Sequence, residues 1–439
     1  MKKLNVSDFL NKELVNYASY DNLRKIGSCI DGQKNASRKV LYTVLDKNIK
    51  DEIKVSQLDS KSAEYADYLH GSMSGVIVNM ASKYPGSNNL NLLHPEGNFG
   101  TRYENAASAP RYIFTHKSNI VDSLFNPADR AILLHQTFEG NDIEPVYYLP
   151  NLPLLLINGS EGVSSGFAQK ILPRNPDSIK KLVKDFLSNK KLNEALLIPH
   201  YNGFNGVIEQ GENQAQWLIK GVIKRINSSK IEITEVPIGV SLKGYLSILD
   251  DLEDAKIIKS YKDKSENDKF HFEVVMSPTD LAKLSDDDLL VKLKLIKKVS
   301  ENYTCMNELN KIQVFENSLE ILKHYLNVKL KNIQRRKDYQ LQKLEDDIKL
   351  DFSKYLFIKN IVEDKLIINK RKKSDIEIDL DKIDNIIKRD DSFDYLLQMN
   401  ILSLTEERMN KLQEDIKSKK ESLDLLKEKT PEQIWKEEI

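Results

Sequence analysis

A chain of 439 residues is long enough for about two to four domains, each with a hydrophobic core of its own. Basic and acidic side chains balance at 66 each, which excludes a general attraction to polyanions and confines any nucleic-acid contact to a local basic patch. The two cysteines, Cys29 and Cys305, are far apart in the sequence, which argues against a zinc site. The sequence shows no leader, no long apolar run and no lipidation signal, so we expect a cytoplasmic protein without a membrane span.

Glycine and proline divide the chain into two parts. All 17 glycines lie at or before Gly244, and neither glycine nor proline occurs between Pro278 and Pro431. The first part is therefore expected to contain the tight turns and any catalytic loops, whereas the second part is expected to form long helices.

Residues 1–27 have the pattern of a charged amphipathic arm. Phe9, Leu10, Leu14 and Tyr17 are spaced to share one face of a helix. Such a face can pack on its own domain or bind a partner, and the spacing does not decide between them.

A basic segment follows the arm. Its five cations accompany a single acid, Asp31, and are Arg24, Lys25, Lys34, Arg38 and Lys39. Asn35 is a candidate cap for the next helix, whose buried side is predicted to leave Lys34 and Arg38 exposed. Cations at a helix start bind phosphate without reading sequence, although such a start is more often simply solvated.

The stretch from Tyr68 to Tyr112 carries the residues that could perform chemistry. Ser72 or Ser74 is the expected cap of a helix that ends near Ala81, and His70 stands at its entrance. A lone histidine is usually structural. After the turn at Gly97–Gly100 comes an Arg111-Tyr112 pair, in which the cation favours the phenolate form of a phenol whose pKa is ordinarily ~10. Tyr112 is thus a candidate nucleophile, although most tyrosines simply pack.

The segment 149–173 combines apolar and glycine-rich stretches. Leu154–Ile157 is predicted to be a buried strand that ends at Asn158-Gly159. Val163, in the following glycine- and serine-rich stretch, can be an ordinary strand residue or an exposed apolar contact.

Residues 197–300 predict a second α/β region. Its expected strands are 206–209, 217–223 and 230–236, and its expected helices are 241–252 and 279–298. From about residue 307, apolar residues recur at three- and four-residue spacing through residue 352, and again between Leu412 and Leu426. This pattern predicts two antiparallel helices of a coiled coil, with shorter helices between them over residues 354–400.

The order of these motifs resembles the breakage-reunion (A-type) subunit of type IIA DNA topoisomerases. This group includes the A subunits of gyrase and topoisomerase IV and, as the expected nearest branch, the T-even phage medium subunits. The resemblance rests on Asp31-Gly32, His70-Gly71, the turn Gly97–Gly100 and Arg111-Tyr112. Its departures are a single histidine where the family often has two, and Asn35 in place of a proline.

The resemblance implies an α+β multidomain fold. It consists of an N-terminal arm (1–27), a winged-helix DNA cleavage domain (28–155), an α/β tower domain (156–305) and a long antiparallel coiled coil with a helical dimerisation tip, the C-gate (306–439).

By the same resemblance, Tyr112 forms a 5′-phosphotyrosyl ester with DNA, assisted by Arg111 and His70. The implied DNA contacts are Arg24, Lys34, Arg38, Lys39, Tyr68 and Val163, the last of these as a wedge between base pairs. The implied activity is that of an ATP-dependent type II topoisomerase that makes a transient double-strand break in one duplex, through which a second duplex passes.

The implied partners are double-stranded DNA, a second copy of the chain and a large subunit that binds both ATP and Mg²⁺, since the sequence contains no phosphate-binding Gly-x-x-x-x-Gly-Lys loop. Two other interpretations stay open. The chain can be a non-enzymatic DNA-binding coiled-coil scaffold, or a tyrosine recombinase, although position 73 is methionine where a recombinase His-x-x-Arg box requires arginine.

Overall fold

The computed structural model describes residues 5–400 and 403–439. The chain divides into two compact units, Met1–Lys329 with Glu438–Ile439, and Leu330–Glu437. Every glycine lies in the first unit, which also contains the strands; the mixed α+β class expected from the sequence is confirmed.

The first unit begins with the helical arm and a helix-and-sheet layer. In order, the elements are α1 (Val6–Asp8), a π-helical turn (Phe9–Leu14), α2 (Val15–Lys25), α3 (Asn35–Asp46), β1 (Ile53–Lys54), α4 (Val55–Tyr65), α5 (Ser74–Ala81), β2 (Leu93–Glu96) and β3 (Phe114–Lys117). The strands form an antiparallel sheet in the order β1-β3-β2. Val40, Leu41, Ile77 and Leu93 are fully buried in the core between these helices and the sheet.

Helix α3 begins at Asn35, the residue expected to cap it, so Asn35 is inside the helix. The capping position is Lys34, whose N–H donates to the Ser37 hydroxyl at 2.9 Å. The fixed start of α3 places Lys34 at its N-terminal end.

The next part of the first unit consists of short elements. They are α6 (Ile120–Leu124), a 3₁₀ turn (Pro127–Ala131), β4 (His135–Phe138), β5 (Asn141–Pro145), α7 (Leu154–Asn158), β6 (Ser160–Ser164), β7 (Phe167–Ile171), α8 (Pro176–Leu187) and a 3₁₀ turn (Glu194–Leu197). The predicted strand at Leu154–Ile157 is wrong, because these buried residues form α7. A run of four apolar residues fits a buried helix turn as well as a strand.

The second α/β region is largely as predicted. Its elements are β8 (Val207–Gln210), β9 (Gln216–Lys220), β10 (Val222–Arg225), β11 (Lys230–Glu235), α9 (Leu242–Asp254), β12 (Ser260–Asp263), β13 (Phe272–Val275), α10 (Pro278–Leu281), α11 (Asp286–Lys292), β14 (Ile296–Ser300), β15 (Thr304–Met306) and β16 (Ile312–Val314). The single strand expected over 217–223 is divided at Gly221. The helix expected over 279–298 is wrong in its second half, where β14 pairs with β9.

The second unit contains residues 330–362 of α12 (Ser318–Val362), together with α13 (Lys373–Leu380), α14 (Asp394–Leu397), α15 (Glu406–Glu428) and α16 (Pro431–Glu438). Lys419 pairs with Asp351 at 2.6 Å, and Lys427 pairs with Glu345 at 3.0 Å. Since the residue number rises along α15 as it falls along α12, the two helices are antiparallel. A separate small core surrounds Phe357, Leu380 and Phe393.

Among residues 5–400 and 403–439, no helix has both the length and the apolar composition needed to span a lipid bilayer.

Candidate functional site

Tyr112 lies on an exposed turn immediately before β3. Its N–H donates to the Ala109 carbonyl at 2.9 Å, and 67% of the residue is accessible to solvent. The guanidinium carbon of Arg111, which is also exposed, lies 4.9 Å from the centre of the Tyr112 ring. The phenol can therefore be reached by a large substrate, and a cation lies against its ring.

Helix α4 holds both the Tyr112 segment and the His70 segment. At its start, the N–H of Val55 donates to the Ile113 carbonyl at 3.0 Å, and the N–H of Ser56 donates to the Pro110 carbonyl at 3.2 Å. These two bonds fix the main chain on both sides of Tyr112.

One helical turn further, Asp59 fixes the residues that follow His70. Its carboxylate accepts hydrogen bonds from the N–H groups of Met73 and Ser74, at 2.8 and 3.1 Å, and from the hydroxyls of Ser72 and Ser74. Burial raises the pKa of Asp59, but these hydrogen bonds outweigh it and hold the pKa below its ordinary value. Ser56 and Asp59 are about 4.5 Å apart along the helix axis, so α4 brings the two segments together.

The expectation that Ser72 or Ser74 caps α5 is confirmed in part. The capping position is Met73, which has no side-chain cap of its own, but the Ser72 hydroxyl accepts the Ser74 N–H at 3.1 Å, and the α4 carboxylate accepts the N–H groups of Met73 and Ser74. Ile77 and Met80 of α5 are buried, and Val76 is half-buried.

His70 is exposed and touches two tyrosines. The Tyr20 hydroxyl is hydrogen-bonded to its Nε2 atom, and the half-buried Tyr68 ring packs edge-on at 5.7 Å between ring centres. The Arg24 guanidinium lies 5.8 Å from the centre of the Tyr20 ring. Tyr20 thus connects two residues that the sequence assigned to the site, Arg24 and His70.

The predicted exposure of Arg38 is wrong. Its side chain is 7% exposed and grips Asp31 with two hydrogen bonds, from Nε to Oδ2 at 2.8 Å and from Nη2 to Oδ1 at 3.0 Å. The carboxylate also accepts the N–H of Tyr148 at 2.9 Å. The Arg38 guanidinium is therefore held in a buried ion pair with Asp31, which argues against a contact with DNA; that role stays a prediction.

Lys39 is buried in a similar way, on the next position of α3. Its Nζ atom lies 2.8 Å from a carboxylate oxygen of Glu144 and 2.5 Å from the Ala66 carbonyl. A buried cation requires its counter-charge nearby, and the Glu144 carboxylate provides it. This burial argues against a DNA contact for Lys39 as well, and that role also stays a prediction.

Val163 lies on the hairpin formed by β6 and β7, where it pairs with Ala168. Its side chain is exposed, and the residue is 73% accessible. The Nζ atom of Lys34 donates to the Glu161 carbonyl on the same hairpin at 2.5 Å. Burial lowers the pKa of Lys34, while Glu161 acts in the opposite direction. Lys34 thus reaches from the start of α3 to the strand that presents Val163.

The described side chains around Tyr112 do not form a metal centre. Over the described ranges 5–400 and 403–439, no three histidine, cysteine, aspartate or glutamate side chains are grouped so that they could hold a metal ion. The side chains around Tyr112 thus do not fit a Mg²⁺ ion by themselves.

Sequence reasoning missed two residues of this site, Tyr20 and Asp59. Tyr20 had a usable signal, since an aromatic residue four positions before Arg24 on a helix predicts a contact between the two side chains. Asp59 had none, because it accepts hydrogen bonds at the start of a different helix, 15 residues away in the sequence.

Comparison with known proteins identifies the family to which the chain is similar. Residues 24–439 match the family model for the A subunit of DNA gyrase/topoisomerase IV. DNA topoisomerase 2 of Plasmodium falciparum (isolate K1 / Thailand) is 35% identical over 480 aligned residues, covering 100% of this chain and 34% of that protein. The mitochondrial DNA topoisomerase 2 of Dictyostelium discoideum is 34% identical, with 99% of this chain and 35% of the relative covered.

Among solved structures, the Plasmodium falciparum topoisomerase II DNA-binding, cleavage and re-ligation domain superposes with a TM-score of 0.86 at 34% identity, covering 100% of this chain and 64% of that one. The chain spans about a third of the length of the curated relatives named here. The expected nearness to the phage medium subunits stays a prediction, because these relatives are DNA topoisomerase 2 proteins. With the match extending over residues 24–439, the chain belongs to the family of DNA gyrase/topoisomerase IV A subunits.

Proposed function

We propose that this chain is the DNA cleavage and religation part of a type II DNA topoisomerase. The observation that carries the proposal is the exposed Tyr112 phenol beside Arg111, on a turn that α4 ties to the His70 segment. An exposed tyrosine held by its main chain is suited to attack, whereas a packing tyrosine is normally covered by its neighbours.

In the proposed reaction, the Tyr112 phenol oxygen attacks a DNA phosphorus atom and loses its proton. The bond between phosphorus and the 3′ oxygen breaks, and that oxygen takes up a proton to leave as a 3′ hydroxyl. The product is a 5′-phosphotyrosyl ester. Because one phosphoester replaces another, the reverse attack by the 3′ hydroxyl reseals the strand without ATP.

The neighbouring side chains have distinct proposed roles. Arg111 stabilises negative charge as it grows on the phosphorus centre, and His70 contacts the same phosphate or transfers its proton. Arg24, Lys34 and Tyr68 contact the DNA backbone close to His70 and the hairpin. Val163 acts as the apolar wedge, and its exposed position on a hairpin supports that role.

The wider architecture of the proposal follows the same lines. The three helices α3–α5 with the sheet β1-β3-β2 support the winged-helix assignment. The region from β8 to β14 supports the tower assignment, and the antiparallel helices α12 and α15 support the coiled coil. Two copies of the chain, joined through the helical tip, cleave opposite strands of one duplex, and a second duplex passes through the break.

Mg²⁺ and ATP belong to the proposal as groups bound outside the residues described here. Mg²⁺ supplies charge neutralisation at the phosphate when it is bound. The sequence analysis expected a separate large subunit for both ligands. The curated relatives are about three times as long as this chain, so a further region of one long polypeptide is the other arrangement to test.

The test is a covalent adduct assay. The chain is mixed with supercoiled DNA, Mg²⁺ and the ATP- and metal-binding region from the same source, and the reaction is stopped with detergent. We expect double-strand breaks with protein on the 5′ ends, absent in Tyr112→Phe and retained in the control Tyr339→Phe, which removes another exposed phenol hydroxyl. Linkage to 3′ ends would indicate a recombinase, and an absence of adduct would favour a DNA-binding scaffold.

A further inference from the structure

One turn of α2 contacts both the His70 segment and the Val163 hairpin. Tyr20 is hydrogen-bonded to His70, whereas the next two residues bind the hairpin tip. Asp21 accepts hydrogen bonds from the N–H and hydroxyl of Ser165, at 2.8 and 3.0 Å, and Asn22 accepts one from the Ser164 hydroxyl at 2.6 Å. Consecutive residues of a helix point about 100° apart, so a single turn can bind elements on two sides.

Asp21 and Asn22 are more than surface partners of the hairpin, because each is only 7% exposed. Lys25 pairs with Asp21 at 2.8 Å from the next turn of α2. The hydrogen bond from Lys25 is the largest influence on the Asp21 carboxyl, and with the Ser165 bonds it holds the pKa below the ordinary value. The acceptor is therefore charged at neutral pH.

The middle of the hairpin, where Gly162 pairs with Gln169, contacts the end of α2 and the chain immediately after it. The buried Gln169 side chain accepts the N–H of Gly27 at 2.8 Å and donates to its carbonyl at 3.1 Å. A Cβ atom on Gly162 would overlap the Lys25 carbonyl oxygen, so only glycine allows β6 to approach α2 this closely. The hairpin is thus held at its middle by Gln169 and the close approach of Gly162, and at its tip by Asp21 and Asn22.

We propose that the α2 turn Tyr20–Asn22 is a positioning element that holds the Val163 hairpin at a fixed distance from His70. The inference rests on the proposed function for its meaning: a wedge that bends DNA has to enter the duplex at a set place relative to the phosphate being cleaved. Tyr20, Asp21 and Asn22 act through other residues and need no contact with the reacting atoms.

The test measures this distance by pulsed electron paramagnetic resonance with nitroxide labels on Val163→Cys and Leu69→Cys. Both positions are more than 70% exposed, and Leu69 adjoins His70. Cys29 and Cys305 are buried. Burial raises the pKa of Cys305 to about 12, and it also raises the pKa of Cys29 well above its ordinary value, so both native thiols should escape labelling. An excess of unlabelled chain suppresses distances between copies.

We expect one narrow distance distribution in the parent and a width increased by about two-fold or more in Asp21→Ala with Asn22→Ala, since the tip then loses its acceptors. Asp21→Asn keeps an acceptor oxygen and should restore most of the narrow distribution. Asp8→Ala, at an exposed acid of the same arm, is the control. Tyr20→Phe removes the hydrogen bond to His70, so it should shift or broaden the distribution through movement of the labelled position 69.

An unchanged distribution in the Asp21 and Asn22 double variant would overturn the inference. The unfolding midpoint of each variant shows whether a broad distance distribution comes from a folded chain. If the distribution in Asp21→Asn is as broad as in the double variant, that result also contradicts the inference. Because no DNA is present, this result is independent of the covalent adduct assay. The adduct assay can therefore contradict the proposed function while the distance measurement supports the positioning element, and the opposite pair of results is equally possible.

Discussion

Asp59 accepts two hydrogen bonds from Ser74, one from its hydroxyl at 2.6 Å and one from its N–H at 3.1 Å. The carboxylate belongs to α4 and its partner to the first residue of α5, so one helix caps another. The same α4 is bonded to the main chain on both sides of Tyr112. A substitution at Asp59 should therefore affect both the stability of the fold and the position of the His70 segment, and the two effects can be measured separately.

Replacing Asp59 by alanine should lower the free energy of unfolding by about 1–2 kcal/mol, because the Met73 N–H loses its acceptor and the Ser74 N–H keeps only the Ser72 hydroxyl. We also expect less covalent adduct at unchanged DNA affinity, since the His70 segment is no longer held. Chemical denaturation and the adduct assay measure the two effects. Glu64→Ala, at an exposed acid of the same helix, should change neither; an equal loss there would contradict the explanation.

The contribution of Asp59 should depend on pH in a defined direction. Its pKa in the folded chain is below the ordinary carboxyl value, so its stabilisation is present above that ordinary value and is lost as the pH falls through the folded pKa. The difference in unfolding free energy between the parent and Asp59→Asn should therefore shrink as the solution is acidified. A difference that grows toward low pH would have the wrong sign.

Arg38→Met tests the correction made for the basic helix. Asp31 would be left as a buried carboxylate without its ion-pair partner, which costs about 3–5 kcal/mol of unfolding free energy. The dependence of DNA affinity on salt should keep the parent slope, because no phosphate contact is removed. Fluorescence anisotropy at several salt concentrations measures it. Asp31→Leu with Arg38→Met should recover part of the stability, and a reduced slope would restore Arg38 as a DNA contact.

Glu301 and Arg174 form a second buried pair, with nitrogen–oxygen distances of 2.6 and 2.7 Å and no exposure of either side chain. Burial raises the pKa of Glu301, but Arg174 and further hydrogen bonds, including one from Trp217, hold it below its ordinary value. Glu301→Gln should lower the unfolding free energy by about 3–5 kcal/mol, because the arginine stays buried without a counter-charge. Denaturation monitored by Trp217 fluorescence reports on this site. A change below about 1 kcal/mol, the size expected for an exposed pair, would contradict it.

The size of the side chain at position 163 should set the degree of DNA bending. Val163→Ala should reduce the bend and Val163→Ile should increase it, because a larger apolar wedge separates base pairs further. Energy transfer between dyes at the two ends of a short duplex measures the angle, with Tyr112→Phe present to prevent cleavage. Val207, an exposed valine of another strand, provides the control Val207→Ala. Equal transfer in the alanine and isoleucine variants would remove Val163 from the wedge role.

Much of the fold followed from local signals in the sequence. The change from turn-rich to glycine-free sequence marked the long helices, and the expected strands 206–209 and 230–236 match β8 and β11 to within one residue at each end. Short apolar runs were the main failure, because four apolar residues in a row, as at Leu154–Ile157, have no periodicity to distinguish helix from strand. The segment after Lys292 failed because pairing with a distant strand overrode helical spacing.

The site was less accessible to sequence reasoning than the fold. Order and spacing of motifs selected Tyr112, Arg111 and His70, and the geometry is consistent with that selection. The charge pattern predicted that Arg38 is exposed, but both Arg38 and Lys39 are buried, because acids elsewhere in the chain neutralise them. Glu144, which neutralises Lys39, is 105 residues away. No local pattern reveals such a partner, and the same holds for Asp59.

Attachment of the Tyr112 and His70 segments to one short helix has a mechanical consequence. Any rigid displacement of α4 carries both segments along, so large rearrangements of the surrounding protein need not disturb their spacing. In the proposed reaction, strand rejoining then has the same local alignment as strand scission.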